Sequence, residues 1–118
     1  MFEQIQACLN GEITDKDVCD ELYLNAGIMA EYEAINLYKT IASKSDNEKI
    51  RVVMQDIADE ERVHIGEFKE LLFMSKPKVK KLEDEGKKEV HDSEGDSDSF
   101  AMQCFNKGRE AYSENIKP

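Results

Sequence analysis

The sequence predicts an all-α chain, an antiparallel two-helix hairpin followed by a short C-terminal helix. Three observations carry this. Charged residues make up 36% of the 118 and Trp is absent. Val, Ile and Thr rarely alternate with polar residues over a length that would make a strand. Two long stretches, 14–43 and 45–75, run without Pro and carry apolar residues at helical spacing. With 40% hydrophobic content the chain can bury one modest core, so a single small domain with tails is expected.

Residues 2–10 predict a short helix with Phe2, Ile5 and Leu9 on one side, closed by Gly11, a docking arm. Thr14 followed by Asp17 resembles a capping box and opens the first long helix, which runs to about Ser43. The break is SKSDNE, where Ser45 and Glu48 form a second Ser-x-x-Glu cap, and the second long helix runs from there to about Ser75, stopped by Pro77. So short a connection folds the helices back on each other as an αα-hairpin. Beyond Pro77, Val79, Leu82 and Val90 predict a short third helix that Gly86 weakens. Residues 83–99 turn acidic and polar and read as a solvated linker. The last stretch, from Ser99, reads either as a terminal docking helix or as a partner-binding segment. The organisation expected is an arm at 1–13, a helical hairpin domain with its third helix at 14–90, and a linker and tail at 91–118.

Charge narrows the partners. A formal net charge of −10 disfavours nucleic acid and anionic membrane surfaces and favours cations. No apolar run approaches the roughly 18 to 20 residues that span a bilayer, and MFEQIQACLNGE lacks the basic flank and apolar stretch of a signal peptide, so a cytoplasmic protein is expected. Cys8, Cys19 and Cys104 are odd in number and widely spaced, without a Cys-x-x-Cys pair, and are read as reduced, partly buried small side chains.

The chemistry lies where the apolar stripes are interrupted. In the second helix the stripe is Ile50, Met54, Ile57, Phe68 and Leu72, and Glu61 and His64 continue it in the middle, so both are expected to face the core. Glu-x-x-His sets two ligands one turn apart, within reach of one metal ion. In the first helix the stripe Leu24, Ile28, Ile35, Tyr38 and Ala42 is interrupted by Glu31. Glu31 precedes Ser45 by 14 residues (45−31) and Glu61 follows it by 16 (61−45), or roughly 21 and 24 Å along the two helices. The three groups therefore meet at one level. A buried carboxylate without a partner costs several kcal/mol, which a bound cation would offset.

A di-iron site of the ferritin type draws a Glu from each of two helices and a Glu-x-x-His from each of two others, and one chain supplies half of that set. His91, the other histidine, has Lys88 three residues before it. A twofold homodimer would complete the site by bringing Glu31, Glu61 and His64 of both copies together in a four-helix bundle. Tyr38, two turns from Glu31, is a candidate neighbour of the metals, and Glu33, pointing away, a candidate for a secondary cation site. Oxygen and imidazole donors favour iron, with manganese or another divalent ion as alternatives.

The strings MAEYEAINLY and IADEERVHIGEFKELL, with 30 residues between Glu31 and Glu61, and the GKKEV that follows resemble the encapsulated ferritin family over residues 14–90. The resemblance implies two-helix subunits whose dimers form a ferroxidase centre and assemble into a ring-shaped decamer inside an encapsulin shell that stores oxidised iron. Glu31, Glu61 and His64 match the family's iron ligands, and Tyr38 a tyrosine near them. Glu33 matches one acid of the family's outer metal-entry pair, while Ala30 stands where the other belongs. Residues 91–118 hold no Leu-Thr-Val-Gly-Ser-Leu-like targeting peptide, so either another tag or a fragment of a fused domain is expected. The function expected is Fe²⁺ oxidation by O₂. The alternatives are a non-catalytic metal-binding helical dimer and a rubrerythrin-like peroxide reductase, the latter disfavoured by the lack of Cys-x-x-Cys pairs.

Overall fold

Four helices make up the structure, a computed structural model that describes residues 2–95, with side chains for 2–92: α1 (Phe2–Leu9), α2 (Lys16–Lys44), α3 (Glu48–Ser75) and α4 (Pro77–Gly95). Among the described residues there is no strand, and the all-helical expectation is met. One compact unit ends at Lys76 and a second begins at Pro77, so α1–α3 and α4 are taken separately. The terminal segment from 96 onward, with Cys104, lies outside the described residues.

The helix ends obey capping chemistry, at positions slightly displaced from those expected. Asp15, not Thr14, caps α2, its carboxylate accepting the N–H groups of Asp17 and Val18. Asn47, not Ser45, caps α3 by accepting from Lys49 and Ile50. Ser45 instead closes α2: its N–H donates to the Ile41 carbonyl, and its hydroxyl accepts the Asn47 N–H. Asp and Asn are among the strongest N-caps, although Ser ranks beside them, so the choice of Asn47 over Ser45 is one of geometry. Lys76 ends α3 in a non-helical conformation, as a residue before proline prefers, and Pro77 then serves as the first residue of α4.

α2 and α3 pack along a seam of Ile28, Ile35 and Ile65 with Phe68 against them; Ala58 and Leu72 are also buried. Ile35, 1% exposed, is the centre. Gly27 lets the helices approach, because a Cβ there would lie 3.3 Å from the Phe68 ring. Ala58 and Ile65 were absent from the expected stripe, and Ile50, assigned to it, is exposed. The true seam runs Ala58, Glu61, Ile65, Phe68 and Leu72, a run of three- and four-residue steps.

The arm folds back at Gly11, whose φ of 78° is the left-handed geometry expected of it. The N–H groups of Glu12 and Ile13 close the turn on the Ala7 carbonyl. Phe2 and Leu9 are exposed, so the inner side of α1 is Ile5, Ala7 and Cys8 rather than Phe2–Ile5–Leu9. The reading of reduced cysteines is overturned for two of them: Cys8 and Cys19 form a disulfide, with Cα atoms 5.7 Å apart across the Gly11 turn.

α4 is longer than the short helix expected, continuing through Gly86 and into the acidic stretch read as linker. The Asp84 carboxylate ties the helix locally, accepting from Lys80 at 2.6 Å and pairing with Lys87 at 3.7 Å. Pairs at these spacings offset part of the glycine's cost.

Candidate metal centre

Glu31 sits three residues after buried Ile28 and four before buried Ile35; Glu61 sits three after Ala58 and four before Ile65. Each carboxylate therefore occupies a core position on its own helix. Their levels match because the hairpin is symmetric about its apex: Glu31 is 13 residues before the end of α2 (44−31) and Glu61 is 13 after the start of α3 (61−48).

His64 joins them. Its Nδ1 lies 3.2 Å from Glu61 Oε2 and 3.7 Å from Glu31 Oε2, and one ligand atom from each of the three residues falls within 4.8 Å of the others. An ion bound at about 2.0–2.2 Å to such donors holds them about 3.0–3.6 Å apart, so the group suits one metal ion after small side-chain movements. When Nδ1 carries a proton it donates to Glu61; in the tautomer with the proton on Nε2 it offers its lone pair to the same space, so the pairing and a metal are alternative uses of one atom. The chemistry fits as well, since hard carboxylate oxygens with an imidazole suit iron or manganese.

Burial corrects one expectation. Glu31 and Glu61 are largely covered, their side chains 19% and 16% exposed, but His64 is 48% exposed and stands at the edge of the seam instead of facing the core. One residue before Ile65, it is turned about 100° away from the seam centre. Val53, Ile57 and Leu71, at −11, −7 and +7 from His64, share its side of α3, and Val53 and Leu71 are exposed. Gly27 on α2, packed on Phe68, belongs to this edge, and Ala34 and Ile41 continue it at seven-residue steps. On the opposite edge the Arg62 guanidinium lies 5.6 Å from the centre of the Tyr32 ring. Arg62 and Tyr32 immediately follow Glu61 and Glu31, and the sequence reading missed this pair.

Tyr38 is half-buried on the same face as Glu31, two turns further on. Glu33 is exposed and is not part of the three-residue group, and Ala30 is exposed. No helix among the described residues is long and apolar enough to cross a membrane.

A helical hairpin with two carboxylates and an imidazole converging across its seam has the architecture of the carboxylate–histidine class of helical metal proteins. The chain belongs to the rubrerythrin family, whose model matches residues 23–96. Two curated relatives are similar to parts of the chain, and the names of both mention encapsulins. One is a ferritin-like–encapsulin shell fusion protein of Pyrococcus furiosus, 44% identical over 54 residues, which are 46% of this chain and 16% of the relative. The other is the encapsulin nanocompartment cargo protein EncC of Myxococcus xanthus, 38% identical over 66 residues, 56% of this chain and 49% of the relative. The chain thus spans about a sixth of the first and about half of the second. No solved structure matches it significantly.

Proposed function

We propose that two copies of the chain pair through their apolar edges into a ferritin-like four-helix bundle, and that the paired Glu31, Glu61 and His64 hold two Fe²⁺ ions for oxidation by O₂. The observation that carries the reading is the place of the half-site: three donors converge at one level, and the most exposed of them, His64, sits among Val53, Ile57 and Leu71. A twofold partner laid on that edge would bury the apolar residues and double the ligand set.

Fe²⁺ is the substrate. Each ion gives up one electron, and two electrons with two protons reduce O₂ to hydrogen peroxide. The chain's own part is to bring the ions together and to supply negative charge, which favours Fe³⁺ over Fe²⁺. The Fe³⁺ would then leave for storage. The names of both relatives mention encapsulins, which supports an encapsulin compartment as the setting of this chain; its assembly there as an annular decamer in the cytoplasm rests on the resemblance to encapsulated ferritins.

Replacing Glu61 or His64 by Ala is expected to abolish rapid oxygen-dependent Fe²⁺ oxidation; wild-type rates in either variant would remove the site. Anaerobic Fe²⁺ loading followed by air separates turnover from storage in a metal-binding dimer, because the latter binds without consuming O₂. The family match keeps peroxide reduction as the second reading, and faster consumption of peroxide than of O₂ would favour it.

A further inference from the structure

We propose that Cys8 and Cys19 are a reversible, peroxide-closed redox clamp that decides whether the N-terminal arm is folded onto the start of α2. Besides the disulfide, the arm is held by the backbone hydrogen bonds of the Gly11 turn and by little side-chain burial. α1 has eight residues and none of them is buried; Phe2 and Leu9 are exposed, and only Ile5, Ala7 and Cys8 are half-covered. A helix this short does not persist alone in water, because each end leaves unpaired backbone groups and nucleation is costly. Its order therefore depends on its attachment, and the covalent attachment is at its last turn, Cys8, to the buried Cys19 in the first turns of α2.

The geometry suits closure without rearrangement. Gly11 reverses the chain between the two cysteines, and the Cα separation of 5.7 Å lies in the ordinary disulfide range. Exposure also differs across the bond, with Cys19 buried and Cys8 half-buried. In the opening step a dithiol reductant attacks the sulfur of Cys8, the less buried of the two residues, and Cys19 leaves as thiolate; the reductant's second thiol then releases Cys8 and becomes a disulfide, so two electrons pass to the pair. In the closing step one thiolate attacks hydrogen peroxide, breaking the O–O bond to give a sulfenic acid and hydroxide, which takes a proton from solvent to become water; the second thiol displaces the sulfenic oxygen as a second water, forming the S–S bond. Peroxide is the oxidant at each closure and is reduced to two waters. The proposal does not depend on the metal reading, since peroxide from any source serves.

The test uses the full chain carrying Cys104→Ser, so that the pair supplies all its thiols. The protein is reduced with dithiothreitol, freed of it, and divided; one part receives hydrogen peroxide. Alkylation followed by mass spectrometry should find two free thiols before peroxide and none after, and dithiothreitol should restore both. Hydrogen exchange at residues 4–9 should slow by up to about a hundredfold on closure, the scale expected when a loop of about this size is cross-linked, while Ile35 and Ile65 amides do not change. Cys19→Ser should exchange at the reduced rate under both conditions. Unchanged arm exchange between the two states, thiols that remain alkylatable after peroxide, or disulfides formed between chains instead of within one would each overturn the clamp.

Discussion

The two edges of the α2–α3 hairpin differ in what a single chain can finish. On one edge Arg62 lies over Tyr32, and the contact is complete within the chain. On the other, Val53 and Leu71 are exposed beside His64, one of the three converging donors. Under the proposed pairing, the edge beside His64 is the one a second copy would cover, and it would carry the chemistry.

The sharpest way to break this contrast is to charge the open edge. Leu71→Lys combined with Val53→Lys should leave the monomer's helix content unchanged, because both residues are exposed in the single chain. Pairing should fail, and Fe²⁺ oxidation should fall to the level of Glu61→Ala. Light scattering with oxidation rates checks this, and an intact, active dimer would refute the assigned edge. Next in size is Gly27→Leu, which drives a side chain into the Phe68 ring at 3.3 Å. It should cost about 1–3 kcal/mol in a denaturant titration.

On the closed edge the effect should be smaller. Arg62→Ala is expected to cost at most about 1 kcal/mol, the usual worth of an exposed cation–π contact. A double-mutant cycle with Tyr32→Leu isolates the term, and zero coupling would mean the contact holds nothing. Smallest is Asp84 on α4. Its hydrogen bond from Lys80 is the main reason its carboxyl sits below the ordinary 3.8; desolvation opposes this, and the Lys80 and Lys87 charges add to it. A depressed value means the support is present above 3.8 and disappears as the pH falls through the lower, folded value. Asp84→Asn should therefore reduce helix content slightly at pH 7 and make no difference in strong acid, as circular dichroism would record.

The carboxylates were legible because each interrupts an apolar stripe, and the count from the turn to Glu31 and Glu61 fixed their common level. The helices themselves were legible from periodicity and from Pro77. The caps were misassigned by one or two residues because Thr14 and Asp15, or Ser45 and Asn47, are all competent acceptors and only geometry chooses. The seam was shifted because Ala58 is small and Ile50 large, and size is a poor guide to burial near a helix end. The disulfide could not be read from a spacing of 11; it depends on the reversal at Gly11, although two cysteines flanking a glycine turn were the available signal. α4 outran its expected length because local Lys–Asp pairs are a weak sequence signal beside a glycine.

Native mass spectrometry with and without Fe²⁺ tests the central claim most directly, since it counts subunits and metals together. The account predicts an even number of chains and two irons per pair, with both the pairing and the metal lost in the Leu71→Lys, Val53→Lys variant. A monomer that stays metal-free, or one that binds its metal as a single chain, would contradict it.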